Sequence, residues 1–380
     1  MFGCDTVTFH GRRAVRIAND RLELTVLLGG GHIARMSLAG TDVNPLWEPP
    51  WTTMEPEEYD PVKNADYGPS EGRLLASLAG QSLCLDHFGE LSAAEVAAGA
   101  YFHGEAPNLT WEVLDRGTQQ DSCWLTYGVD LPEAGVRFRR KVSLQSLRST
   151  VCFDEEVTNL RRRDIPLEYQ QHVTLGPPFV EGGVTRVDIP AVKGRTSPRT
   201  LGPVDRLKPD QDFAWPLAPG FKTDIPVNVF SPKAPSYSLC TVLQEPNNGE
   251  AFIVASNPRL GLMLGYAFSR GMFPWTALWE ENCGTTDSPY NGRTRAWGIE
   301  FGTTPLPTTR MENLSSGPLF GMPRFMVLPA RSVVRATYWA FLLAIPADWQ
   351  GVKEILRSTR KLTICEAGSK RQMELLLDRE

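Results

Sequence analysis

What most constrains this chain is its punctuation. Short runs in which apolar and polar residues alternate are separated, again and again, by clusters of Gly, Pro, Asn and Asp. A period of two sends successive side chains to opposite faces of an extended strand, and the breakers supply the turns. A chain written this way folds into antiparallel sheets. Its opening reads as a meander over residues 13–17, 22–28 and 33–38, divided by Asn19-Asp20 and Gly29-Gly30-Gly31. Further strands are predicted over 111–114, 123–129, 136–144, 150–159, 167–175, 236–243, 250–256, 260–268, 276–280, 296–301 and 332–343. The 33 Gly and 30 Pro among 380 residues supply many turns, and 42% hydrophobic residues suffice for a large core.

Helices are expected to be few and short. One is predicted over 74–80, one over 92–99 with Ser92 as cap and Glu95 three residues on, and one over 348–357, followed by a polar tail (369–380) that is helical or frayed. No break in composition marks a boundary, so the expectation is a single domain over 1–380. It comprises the meander (1–43), an aromatic and proline-rich loop (44–69), a sandwich core (101–345), and a C-terminal helix and tail (346–380). The fold class is mostly β, and the turn spacing suits a sandwich or a barrel.

Composition excludes several functions. A formal charge of -5 argues against a nucleic-acid partner, since phosphate binding needs a basic surface. The one dense basic run, Arg161-Arg162-Arg163, reads as a solvated hairpin tip. Residues 1–15 carry Asp5, His10, Arg12 and Arg13 and no apolar signal region, and no apolar run is long enough to cross a bilayer, so a cytoplasmic protein without a membrane partner is expected. Seven scattered cysteines read as reduced thiols. Cys84 and His87 form a C-x-x-H with no second pair, so no metal is expected. There is no glycine-rich phosphate loop, no dinucleotide fingerprint and no G-x-S-x-G elbow, so no cofactor is expected, and hydride transfer, phosphoryl transfer and serine hydrolysis lose support. The oligomeric state is left open.

The chemistry-bearing positions are few. Glu300 sits within the alternating Trp297, Ile299 and Phe301, where a strand runs out into Gly302-Thr303-Thr304-Pro305. A carboxylate there is either a solvent-facing strand residue or, held among aromatics, a general base with a raised pKa. Only five histidines occur. His103, in a loop leading to Trp111, and His172, near the end of the strand before Gly176-Pro177-Pro178-Phe179, each lie close to aromatics. Singly each reads as structural; with Glu300 they can form an acid and base pair around a ring oxygen and an anomeric hydroxyl. The aromatics of residues 44–69 can stack on sugar rings or simply cover a sheet edge.

Several pieces occur together in order: Gly29-Gly30-Gly31-His32-Ile33-Ala34-Arg35, His103-Gly104 with Trp111, Gln171-His172 before Gly176-Pro177-Pro178-Phe179, and Gly298-Ile299-Glu300 before a Thr-Pro-rich loop. In these the chain resembles the galactose mutarotase-like superfamily, the aldose 1-epimerases and their relatives. The resemblance implies a large antiparallel β-supersandwich with its site in a cleft on the concave face. It implies Glu300 as the base that takes the anomeric proton, His172 as the acid that protonates the ring oxygen, and His103 and Arg73 as substrate-binding groups. The family's asparagine-arginine stretch is not recognisable around Arg73, and its sugar-binding aspartate has no clear counterpart. Asp86 and His87 can line the pocket instead, and Trp275, Trp279, Glu280 and Glu281 offer further stacking and hydroxyl-binding groups. The expected partner is a small-molecule carbohydrate and the expected activity a cofactor-independent mutarotase or epimerase. Alternatives are a non-catalytic carbohydrate-binding protein on the same scaffold, or a glycoside-cleaving enzyme using Glu300 with Glu280 or Glu281. A phosphosugar would call for cations near the pocket, for which Arg35, Arg73, Arg293 and Arg295 are the candidates.

Overall fold

The structure, a computed structural model, describes residues 2–68, 71–246 and 250–377; residue 69 of the aromatic loop and residues 378–380 of the tail lie outside the described residues. Two large antiparallel sheets, one of thirteen strands and one of eight, enclose a common hydrophobic core. The expected strands form with small changes of boundary, because each offers one apolar face to the space between the sheets. Five strands adjacent in the larger sheet matter for function, in the spatial order Gln81–Leu85, Tyr169–Leu175, Arg295–Gly302, Trp275–Asn282 and Ser236–Gln244.

Alternation sorts their side chains. On Arg295–Gly302, Trp297, Ile299 and Phe301 enter the inter-sheet core, where Phe301 stacks on Phe268 of the smaller sheet with ring centroids 4.3 Å apart. On Tyr169–Leu175, Gln171 faces the same way and accepts from Arg140 Nη2 at 2.9 Å. Arg140 and Glu155 are themselves fully buried in the smaller sheet and pair at 2.6 Å, and the Tyr338 hydroxyl donates to the same carboxylate at 2.9 Å. A buried ion pair with its remaining hydrogen bonds filled fixes the relative placement of the groups it holds. It therefore holds Gln171 inward, which leaves the neighbouring His172 on the opposite face.

The structure departs from the sequence reading in several places, among them short strands such as Arg186–Asp188 and Ala191–Thr196 in a region without regular alternation. Gln81–Leu85 is a strand that alternation did not reveal, because all five residues are buried and neither face meets solvent. Residues 348–357 are not a helix: Val352–Ser358, Lys361–Glu366 and Gln372–Leu376 form a three-stranded antiparallel sheet instead. Gly351 has φ 102°, which no helix accommodates, and Ile355 and Ile364 pack into a cluster with Phe252 and Trp339. A strand also forms at Gly3–Phe9, ahead of the expected meander. The short helices are Gly72–Ser77, Ala93–Ala97, closed by the expected Ser92–Glu95 capping box, and Arg310–Ser315, closed by a second box from Thr309 and Glu312. The aromatic loop packs against the sheet: the Trp47 amide donates to the Thr174 carbonyl at 2.8 Å, and Trp51 Nε1 donates to the Leu75 carbonyl at 2.9 Å. No helix of the described residues is long and apolar enough to cross a membrane.

Candidate active site

Strand register brings the leading candidates together. Tyr169–Leu175 and Arg295–Gly302 pair Gln171 with Phe301 and Thr174 with Gly298, a register that sets His172 beside Glu300. The two side chains meet on the face away from the core, His172 Nε2 lying 3.3 Å from Glu300 Oε1. Gly298, two residues before Glu300 on the same face, makes room for the carboxylate: a Cβ there would lie 2.2 Å from Glu300 Oε1. The other ring nitrogen of His172 meets the Thr174 hydroxyl at 3.2 Å. His103 stands next, its ring centroid 4.8 Å from that of His172. Its Nδ1 donates to the Phe88 carbonyl at 2.5 Å, which leaves Nε2 as an acceptor. Phe88 is held in turn, since its amide donates at 2.7 Å to Glu168, a buried carboxylate that also accepts from Asn313 at 2.8 Å.

Glu300 is 2% exposed and His172 5%. Burial pushes the Glu300 carboxyl up to about 8 and pulls the His172 imidazole down to about 4, because each loses the water that would solvate its charge. Burial, with His172 close by, also holds His103 well below the usual histidine value. At neutral pH the pair therefore carries one proton and no net charge. It opens into a cavity of about 240 Å³. Leu74, Leu75 and Leu78 from the helix Gly72–Ser77 and its end form one wall, and Phe102, Trp279, Tyr237 and Tyr290 supply rings. Trp279 Nε1 donates to the Tyr237 hydroxyl, which orients both rings at the cavity surface. Two further carboxylates, Glu71 and Glu90, also line it.

Comparison with protein-family models and with curated protein sequences finds no match. Solved structures do match. A protein from Klebsiella pneumoniae provisionally named an aldose 1-epimerase aligns over 89% of this chain and 81% of its own, with TM-score 0.64 and 14% identity. A galactose mutarotase-like protein from Clostridium acetobutylicum aligns over 90% and 99%, with TM-score 0.59 and 14% identity. A galactose mutarotase related enzyme from Lactobacillus acidophilus aligns over 88% and 98%, with TM-score 0.56 and 12% identity. The chain has the galactose mutarotase-like fold. At such identities the likeness concerns the fold alone.

On this mutarotase-like scaffold Glu300, His172, His103 and Trp279 share the cavity, whereas the other expected site residues do not line it. Arg73 turns away, donating to the Pro56 carbonyl at 2.8 Å and packing over the Tyr59 ring. Asp86 pairs with Arg310 at 2.6 Å, and His87 lies between Asp86 and Glu95 at 3.7 and 3.9 Å. Glu280, on the face of its strand opposite Trp279, is taken by Arg206 at 2.8 Å and by the Ser231 amide and Ser236 hydroxyl. Glu281 accepts from Gly284 and Thr285, so neither Glu280 nor Glu281 supplies a second carboxylate beside Glu300. Trp275 is core, its Nε1 donating to the Pro323 carbonyl at 2.8 Å. No group of metal-ligating side chains occurs among the described residues. Glu71, Glu90, Tyr237 and Tyr290 were missed because they lie in segments without a motif. Tyr237, beside Ser236 and Ser238 in a strand whose side chains alternate, carried the one usable signal.

Proposed function

We propose that the protein interconverts the anomers of an aldose by opening and reclosing its ring, with Glu300 and His172 as the proton-transfer pair. The reading rests above all on one observation: a carboxyl and an imidazole, both buried and 3.3 Å apart, at the wall of a small ring-lined cavity. Opening a pyranose requires removal of the proton from the anomeric hydroxyl and delivery of a proton to the ring oxygen as the C1–O5 bond breaks. One base and one acid, sharing a single proton, are the minimum equipment. In the empty cavity that proton rests on Glu300, since the uncharged arrangement is favoured where water is excluded. Sugar hydroxyls bring dipoles that stabilise the charged arrangement, and the proton crosses to His172 Nε2. Glu300 then takes the anomeric proton while His172 gives its own to the ring oxygen. Rotation about C1–C2 and reversal of both transfers close the ring on the other face, leaving the pair as it began. The His103 acceptor nitrogen receives a sugar hydroxyl, and Trp279 offers its face to the apolar side of the ring.

The mutarotase-like fold of the neighbours agrees with this chemistry, and the commitment of Glu280 and Glu281 to other partners weakens glycoside cleavage. Saturation-transfer NMR of aldose anomers tests the reading. Exchange accelerated by the wild type and slowed on the order of 10²- to 10⁴-fold by Glu300→Gln and by His172→Ala, both folded, is the expected result. Binding of sugars without accelerated exchange would leave a carbohydrate-binding protein in its place.

A further inference from the structure

The outer face of the smaller sheet is covered on one side only. There the C-terminal three-stranded sheet packs Ile355 and Ile364 with Phe252, Met263 and Trp339 of the strands Ala251–Asn257, Leu262–Phe268 and Val333–Ala344. The next strands in order, Thr150–Asn159, Val136–Gln145, Ser122–Leu131 and Glu112–Gln119, carry partly or fully exposed side chains on that face, among them Trp124, Lys141 and Asp154. At this boundary lies a cavity of about 400 Å³, larger than the active cavity.

Register accounts for its shape. Trp124, Ser143, Cys152 and Trp339 are successive partners across four strands, so two small side chains lie between two indoles. The indoles stand three inter-strand steps apart, roughly 14 Å. Trp124 is pinned to the sheet at both ends of its ring system. Its Nε1 donates to Asp115 at 2.7 Å, and its six-membered ring rests on Gly117, where a Cβ would lie 2.5 Å from Cζ2. A glycine weakens a strand, and here it lets the indole settle on the edge strand. A fixed, half-buried indole offers a platform to the apolar face of a sugar ring.

The charges around the platform are balanced. Lys141 and Asp154 are register partners, yet they turn apart. Lys141 Nζ lies 5.8 Å from the centre of the Trp124 ring, and Asp154 accepts from the Thr337 hydroxyl at 2.6 Å. Arg357 lies on the Trp339 ring at 4.2 Å and is 3.6 Å from Glu250. Two cations thus answer two carboxylates, which leaves no excess charge to hold an anion, and Gln145 adds an amide to the lining. Hydroxyl groups both donate and accept, so they suit such a mixture.

We propose that this outer face carries a second carbohydrate site, separate from the active cavity, for a neutral saccharide of more than one ring. One ring lies on Trp124; the next crosses Ser143 and Cys152 towards Asp154 and Arg357. The assignment does not rest on the ring-opening reading.

The test is ligand-observed NMR with maltotriose, cellotriose, β-1,4-galactotriose and glucose 6-phosphate. The proteins are the wild type, Trp124→Ala, Trp124→Phe, Asp154→Asn, Lys141→Met and, as a change in the active cavity, Trp279→Ala. Circular dichroism checks each fold, and the exposed Asp154 gives a second probe should Trp124→Ala not fold. The expected result is that at least one trisaccharide binds the wild type and Trp279→Ala alike. Trp124→Ala should weaken it on the order of tenfold, Trp124→Phe should keep most of the affinity, and Asp154→Asn should lose part of it. A complete failure of the three trisaccharides to bind overturns the proposal. So does binding that Trp124→Ala and Asp154→Asn leave unmoved, or binding lost in Trp279→Ala. Glucose 6-phosphate held more tightly than every trisaccharide, and released by Lys141→Met, would make the site an anion site and overturn the neutral assignment.

Discussion

Replacing Glu300 by Gln should make stability less sensitive to pH, in a direction and by an amount that the structure sets. In an unfolded chain this carboxyl titrates near 4.5; in the folded protein burial raises it to about 8. Below pH 4.5 both states hold the proton and the group contributes no difference. Between 4.5 and 8 the unfolded chain ionises while the folded protein keeps its proton, so unfolding becomes easier by about 1.4 kcal/mol for each pH unit. Above 8 the deficit is complete. The span is roughly three and a half pH units, which amounts to about 4 to 5 kcal/mol, a large part of the ~5–15 kcal/mol that holds a typical domain together. No discount for solvent applies, because the group is 2% exposed. Glutamine has no such titration. Glu168, raised to about 7, is present in both proteins and cancels in the difference, and His172, which burial lowers to about 4, stays neutral in the folded protein across the range of the assay. Urea unfolding followed by fluorescence at half-unit steps from pH 4.5 to 9 gives the two stability curves. The variant should gain on the wild type steadily up to pH 8 and hold its lead beyond. A difference that stays flat across this range refutes the claim that a buried, uncompensated carboxyl sits at this position.

Two other outcomes follow from the same geometry. The competent pair carries one proton, so kcat/KM for anomer exchange should be greatest between about pH 4 and 8 and fall tenfold per unit above 8, with apparent values that belong to the pair; activity that keeps rising through pH 9 would remove the shared proton from the mechanism. In Gly298→Ala the new Cβ lies 2.2 Å from Glu300 Oε1 and 3.2 Å from Trp279 Cβ, so the carboxylate must leave its place beside His172. Steady-state kinetics should show kcat reduced on the order of 10²-fold in a protein whose circular dichroism is unchanged, and full activity would mean that this contact is not the working one.

The sequence by itself determined the local structure wherever a strand has one apolar and one polar face, or a helix has a cap. Period two is enough to separate Glu300 from Trp297, Ile299 and Phe301, and Ser92 with Glu95 is enough to start a helix. It also placed Glu300 near a strand end, because breakers next to a strand are visible in one dimension, whereas His172 lies in the middle of Tyr169–Leu175 and His103 in a loop. It could not reveal Gln81–Leu85, where burial on both faces erases the alternation, nor the C-terminal sheet, whose strands exist because they cover Phe252 and Trp339. Tertiary structure alone decided what meets what. Register between strands more than a hundred residues apart set His172 beside Glu300, and the same folding carried Asp86 to Arg310 and Glu280 to Arg206, away from the cavity. It brought Glu71, Glu90, Tyr237 and Tyr290 to one wall from separate segments. The physical reason is that a strand's own residues specify only which face a side chain takes. Which strand lies next to it, and in what register, is settled by packing the whole core and by pairing buried polar groups, as Arg140 and Glu155 do with Gln171 and Tyr338.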